Sequence, residues 1–441
     1  MITPIDLLIE ARWIIPVEPA NAVLENHAVA VDKGQIVAIL QQTEAHSRFA
    51  PRETRQLPHH ILIPGLVNLH THAAMTLLRG LADDLPLMDW LQNHIWPAEA
   101  KHVSAQFVHD GTRLACAEML RGGTTCFNDM YFYPKATAEA ALAAGMRAAI
   151  GLVVVDFPTP YAADADDYLA KGMATRDGLL DQDLLSFCIA PHAPYTVSDR
   201  NFGKALAFAE QCDLPIHVHL HETVQEIENS MQNFGMRPIE RLRRLGMLSP
   251  SLIAAHGVHL DANEMALLAE YGCSIAHCPS SNLKLASGIA PISALSEKGV
   301  NIGLGTDGAA SNNRLDMFQE MRLAALLAKG ASGKADTVSA HQSLHMATLG
   351  GAKALGLEAK IGSIAVGKAA DLCAIRIDSI ELSPCYDPAS LLVYAAGREH
   401  VSDVWVAGNI RLANGLLLQT NEIELIKLAV LWQNQVCPRD I

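Results

Sequence analysis

The chain has 441 residues, 47 acidic against 33 basic, and a formal net charge of −14 at pH 7. Half of the residues are apolar, enough for a large core, and the length exceeds the usual size of one domain. The acidic balance and the lack of a Lys/Arg cluster exclude a nucleic-acid partner, and no apolar stretch approaches the roughly 18 residues of a membrane span. Asp6, Glu10 and Arg12 interrupt the apolar pattern of the first residues, which are expected to be strands and not a signal peptide. The nine cysteines include no C-x-x-C pair, the usage expected of reduced thiols in a cytoplasmic protein.

In chain order, residues 7–15 and 28–40 alternate, the second run broken at Asp32-Lys33-Gly34-Gln35, which is a hairpin pattern. Eight apolar strand-like runs follow, at 66–70, 124–128, 148–155, 185–190, 216–220, 252–255, 274–277 and 301–305. Helical patterns lie between them, as at 106–121 and 201–211, and the Ala-rich 136–149 reads as a helix running into a strand. This order builds a parallel sheet with crossover helices. Segments 370–375 and 401–409 then return to the texture of the first 60 residues. The expected fold is α/β: a (β/α)8 TIM barrel over 61–365, with a small discontinuous β-sandwich domain formed by both chain ends, 1–60 and 366–441.

In such a barrel the active site lies where the strands end. His70 and His72 end the first strand, His192 the fourth, and His217, His219 and His221 alternate along the fifth with Glu222 just beyond. His256, His277 and Asp307 end the sixth, seventh and eighth. Residues i and i+2 of a strand share a face, so His70 and His72 turn toward one point, whereas spacing alone does not choose among the three histidines of the fifth strand. Three imidazoles and a carboxylate suit Zn²⁺ or Fe²⁺ and not the all-oxygen preferences of Ca²⁺ or Mg²⁺. Such an ion brings the pKa of bound water from about 15.7 to about 7 and so supplies a hydroxide nucleophile. Glu222 is placed to move protons without ligating, His256 to orient the nucleophile, and Asp307 to ligate and to accept a proton on its free oxygen. The remaining candidates take plainer readings. His341 and His345 pack a helix on the barrel, Cys278 faces away from its neighbour's side, and Ser280 and Asn282 fix turns. The apolar loop 76–91, around Asp83-Asp84, lies over the pocket as packing, a lid or a subunit contact.

The motifs Pro64-Gly65-Leu66-Val67-Asn68-Leu69-His70-Thr71-His72, His219-Leu220-His221-Glu222, Ala255-His256-Gly257, the segment from His277 to Gly288, and Gly305-Thr306-Asp307-Gly308 together resemble the amidohydrolase superfamily. Within it they are most similar to the 5-methylthioadenosine/S-adenosylhomocysteine deaminases and their relatives, the triazine chlorohydrolases and guanine deaminases. The resemblance implies that His70, His72, His219 and Asp307 hold one divalent ion, zinc in the first place and iron as the alternative. It also implies that Glu222 shuttles a proton to a ring nitrogen, that Glu99 binds ribose hydroxyls and that His192 contacts the nucleoside. The implied activity is hydrolytic deamination of an adenine nucleoside, 5-methylthioadenosine before adenosine or S-adenosylhomocysteine. Deamination of guanine or an oxidised purine and triazine dechlorination are the alternatives, and a metal-free scaffold is the reading from another class. Two departures bear on this. Residues 185–192 contain no lysine to bridge two metals, so the site is expected to be mononuclear. No arginine stands in Gly151-Leu152-Val153-Val154-Val155, and Arg147 lies earlier, so the usual partner of a charged homocysteine tail is missing. The expected partner is a small-molecule nucleoside, with no nucleic acid and no membrane, and a homo-oligomer follows only from how common symmetric assemblies are.

Overall fold

The computed structural model describes residues 2–437. The chain opens with β1 (Thr3–Ile14), β2 (Leu24–Asp32), β3 (Gln35–Gln41) and β4 (Phe49–Pro64). Alternation along β1 sends Leu7, Ile9 and Ala11 into one apolar cluster and Leu8 into another, so both faces of this sheet are covered. The sequence reading has no element at β4, a segment that carries Pro51, Pro58 and a polar run. Both prolines sit where a strand tolerates them. Pro58 falls in the register shift between the Ala11–Leu57 and Trp13–Ile61 pairs. Pro51 lies where β4 has β1 on one side only, because its other neighbour pairs no earlier than His60.

The eight runs expected as barrel strands are all strands: β5 (Leu66–Thr71), β6 (Thr124–Tyr131), β7 (Arg147–Val154), β8 (Leu185–Pro191), β9 (Ile216–Leu220), β10 (Leu252–His256), β11 (Ser274–His277) and β12 (Asn301–Leu304). They form one parallel sheet in sequential order. Its ends are tied by Asp307 N–H donating to His70 O at 2.9 Å and by Asn68, which donates to Thr306 Oγ1 at 2.7 Å and accepts Thr306 N–H at 2.9 Å. Closure is tight enough that a Cβ on Gly305 would stand 2.8 Å from His70 N, which restricts that position to glycine. The fold is therefore a (β/α)8 barrel. Helices Ala105–Arg121, capped by Ser104 Oγ accepting Phe107 N–H, and Asp199–Cys212 lie where their periodicity put them.

β13 (Leu372–Arg376), β14 (Val401–Val406), β15 (Asn409–Ala413) and β16 (Leu416–Leu417) extend the first sheet through β4, making it eight-stranded and mixed, with strands from both chain ends. A helix Glu422–Val436, without a counterpart in the sequence reading, then crosses back to the barrel. Trp432 Nε1–H donates to Asp110 Oδ2 at 3.0 Å and its ring meets Phe107 edge-on at 5.1 Å. Among the described residues no helix is long and apolar enough to cross a membrane.

Candidate active site

His70 on β5, His72 just past it, His219 on β9 and Asp307 after β12 converge at the C-terminal mouth of the barrel. The three imidazoles form one group with ligand atoms within 4.8 Å of one another, and His70, His256 and Asp307 form another. Asp307 Oδ1 lies 3.4 Å from His70 Nε2 and 3.3 Å from His72 Nε2. The donor set fits a divalent metal. His72 Nδ1–H donates to Met130 O at 2.5 Å and His219 Nδ1–H to His192 O at 2.7 Å, which leaves each Nε2 lone pair free. His70 Nδ1 is engaged at 2.9 Å with His217 Nε2, while its own Nε2 is buried without a hydrogen-bond partner. Burial pushes His70 down to about 4 and His219 well below the ordinary range, so both are neutral, as ligands must be.

The three histidines around β9 separate in the structure. His217 shares the face of His219 but sits a layer deeper against His70 and Asn128. His221, expected on that same face, lies past the strand end with φ +56°. Its Nδ1–H donates to His259 O at 3.1 Å and its Nε2 accepts Ile239 N–H at 3.1 Å, so neither nitrogen is free. His256 and Asp307 are also held at positive φ, +74° and +60°, at a cost of about 1–3 kcal/mol each for residues with a Cβ.

Glu222 is buried and its Oε2 lies 3.8 Å from His256 Nε2. Burial raises the Glu222 carboxyl. Burial alone would lower His256, but Glu222 and Asp307 raise it. Burial would likewise raise Asp307, yet His70, His72 and His256 hold it well below the carboxylate range. The oxygen of Asp307 expected to be free is engaged: Oδ2 accepts Ser281 Oγ–H at 2.6 Å and Ser311 Oγ–H at 2.7 Å, so a serine must turn away before that oxygen takes a proton. Asn282, read from the sequence as a turn residue, accepts His256 Nδ1–H at 2.8 Å. Cys278 is buried, and burial raises its thiol far above the ordinary value, the setting of an unreactive structural cysteine.

The cluster floors a cavity of about 360 Å³. Glu99 lies in one wall, buried, accepting Tyr131 Oη–H at 2.6 Å. His192 lies in another, with Nδ1 2.9 Å from Thr196 Oγ1, a hydroxyl that donates on to Ala193 O at 3.2 Å; His192 therefore donates there and keeps its Nε2 lone pair. Leu87, Trp90 and Leu91, at the end of the apolar loop after β5, close the side, facing Val153, Val155 and Phe157. Among the described residues no Lys or Arg lines this cavity. Arg147 is far from it, at the start of β7, in a buried pair with Asp371. A second groove of about 770 Å³ shares Leu87, Trp96, Phe157, Tyr195 and Glu222 with the first and carries Arg200 and Arg241. Arg241 is committed to Asp199 at 2.6 Å.

The family model described as "Amidohydrolase family" matches residues 61–411. The chain belongs to the amidohydrolase family. As an amidohydrolase it is similar to a 5-methylthioadenosine/S-adenosylhomocysteine deaminase of Saccharophagus degradans, 46% identical over 98% of this chain and 97% of that one. A protein of the same description from Teredinibacter turnerae is 44% identical over 98% of each chain. Among solved structures, an adenosine deaminase from Xanthomonas campestris with bound zinc superposes with a TM-score of 0.98 and is 50% identical over 99% of both chains. A triazine hydrolase variant, 25% identical, superposes at 0.88 over 97% of this chain and 99% of that one. Four residues beside the candidate site have no site role in the sequence reading: Ser281 and Asn282 lie within the His277–Gly288 motif, Asn282 as a turn residue, whereas Tyr131 and Ser311 lie outside every quoted motif. What links them to the site is contact with Asp307, His256 and Glu99 once the loops are folded.

Proposed function

We propose that the protein hydrolytically deaminates an adenine nucleoside, with 5-methylthioadenosine preferred. One observation carries the reading: a single cavity joins the three-imidazole, one-carboxylate cluster to a buried Glu99 and to an apolar wall without a cation. The names of the similar deaminases support it. In this reading His70, His72, His219 and Asp307 hold one metal ion, zinc as in the Xanthomonas structure. That ion supplies a water-derived nucleophile near neutral pH.

The chain's own groups supply the rest. Glu222, whose carboxyl is raised by burial, gives its proton to N1 of the adenine ring, which makes C6 electrophilic. His256, anchored through Nδ1–H on Asn282, keeps Nε2 toward Glu222 and polarises the attacking oxygen. Asp307, ionised before the attack, takes the proton of the attacking oxygen once a serine turns away from Oδ2 and passes it to the amino group, so that ammonia leaves as the C6 carbonyl forms. His192 offers its Nε2 lone pair to the nucleoside, and Glu99 accepts from ribose hydroxyls on the oxygen that Tyr131 leaves free.

The cationless wall suits a neutral thioether, and a homocysteine carboxylate held within this cavity stays unpaired, at about 1–3 kcal/mol or more. Steady-state kinetics are therefore expected to give S-adenosylhomocysteine a kcat/KM about tenfold or more below that of 5-methylthioadenosine. Equal values for the two would remove the apolar wall as the basis of selectivity.

Glu99 links this function to stability. Burial raises it from 4.5 to about 7, so the folded protein keeps a proton that the unfolded chain releases, and stability falls as pH rises between those values. Glu99→Gln keeps the Tyr131 contact and removes the penalty. It is expected to be more stable than the parent above pH 7 by up to about 3 kcal/mol, to converge with it below pH 4.5, and to raise KM for nucleosides roughly tenfold or more. Denaturant titrations at pH 5 and 8 with parallel kinetics check this; an unchanged KM would take Glu99 out of ribose binding.

A further inference from the structure

Glu226, in the first turn of helix Val224–Phe234, is buried at 5% exposure; it is absent from the groups able to hold a metal and from the 360 Å³ cavity, and it lines the adjoining groove. Its two carboxylate oxygens accept the backbone N–H groups of His221 at 2.9 Å and of Glu222 at 2.8 Å. Its own N–H donates to Thr223 Oγ1 at 3.2 Å, so the helix start and the preceding turn brace each other. The peptide it holds is the sharpest point of the loop after β9, where His221 sits at φ +56° with both ring nitrogens already engaged. Fixing two successive N–H groups there fixes the direction in which the Glu222 side chain leaves the backbone.

We propose that Glu226 is a positioning residue: by accepting both N–H groups it aims the Glu222 carboxyl across the cavity, beside His256 and toward the reacting ring nitrogen. This rests on the reading of Glu222 as the proton shuttle. A buried carboxylate that accepts a single loop N–H recurs at two other loops of the barrel mouth. Asp129 accepts Ala73 N–H at 2.7 Å, next to His72, and Glu320 accepts Ser280 N–H at 3.0 Å, next to Ser281. Of the three, Glu226 is the one that holds a residue assigned to proton transfer. A glutamine does not replace it, because its NH₂ would face one of the two N–H groups and leave that donor buried and unpaired.

The test uses the metal-loaded full chain at pH 8, since burial raises Glu226 to about 7. Glu226→Gln is made alone and in the Glu222→Gln background, and kcat, KM, metal content and thermal midpoint are measured with 5-methylthioadenosine. The expected result is a kcat about tenfold or more below the parent, with KM within about twofold and the metal retained. In the Glu222→Gln background the same substitution is expected to change kcat no further, because the group it aims is gone. Parental kcat in Glu226→Gln, alongside an impaired Glu222→Gln, overturns the inference and leaves the shuttle standing. Equal losses in both backgrounds also overturn it, since they mark a general structural effect. A parental rate in Glu222→Gln overturns the shuttle and this inference with it. Should Glu226→Gln not fold, Glu226→Asp, which keeps the charge and withdraws it by one methylene, carries the same cycle.

Discussion

Glu222→Gln is expected to lower kcat for adenine nucleosides by about 10²- to 10⁴-fold, the range of a positioned general acid, while the protein keeps one equivalent of metal and its thermal midpoint. The side chain is buried, 3.8 Å from His256 Nε2, and lines the cavity beside the ligand cluster. It is absent from both groups able to hold a metal, so an isosteric amide there removes a titratable proton and leaves the ligands intact. Substantial residual turnover would take Glu222 out of the mechanism. Well under one equivalent of metal in the reconstituted parent would instead favour the scaffold reading.

Arg147→Ala is expected to cost about 3–5 kcal/mol of folding stability, the usual penalty for leaving one partner of a buried ion pair alone. Arg147 Nε and Nη2 donate to the two oxygens of Asp371 at 3.0 and 3.2 Å, and Nη1 donates to Asp183 O at 3.1 Å. Both side chains are at most 3% exposed. Asp371 Oδ1 also accepts Ala407 N–H at 2.8 Å, and Gly65 N–H donates to Asp371 O at 2.8 Å, so the pair joins the start of β7 to the sheet built from the chain ends. The folded variant is expected to turn over at the parental rate, because β7 reaches the cavity only at its other end. Denaturant unfolding of parent and variant measures the loss; a cost below about 1 kcal/mol would mean that water or a neighbour satisfies Asp371.

The barrel was legible because its strands are buried on both faces and stand out as apolar runs between amphipathic helices, as 148–155 and 185–190 do. His70 and His72 were legible through their period of two. His221 shows where that rule stops: the alternation continues in the letters, but the backbone turns left-handed at φ +56° and takes the ring out of the site. β4 was hidden by Pro51 and Pro58, whose tolerance depends on an open edge and a register shift that only pairing creates. Ser281 lies 26 positions from Asp307, Tyr131 lies 32 from Glu99, and Asn282 lies 26 from His256. No local pattern encodes contacts made when separate strand ends meet at one mouth. The helix Glu422–Val436 has apolar residues on several sides, with Ile423, Ile426 and Leu431 exposed and Leu425 buried, so it lacks the single stripe that marks an amphipathic helix.

The most direct test of the central claim is release of ammonia, or of chloride, by metal-loaded protein from 5-methylthioadenosine, adenosine, S-adenosylhomocysteine, guanine and a chlorotriazine at matched concentrations. The account predicts ammonia from the nucleosides, fastest from 5-methylthioadenosine, and none from guanine. Silence on all three nucleosides, with ammonia from guanine or chloride from the triazine, would contradict it.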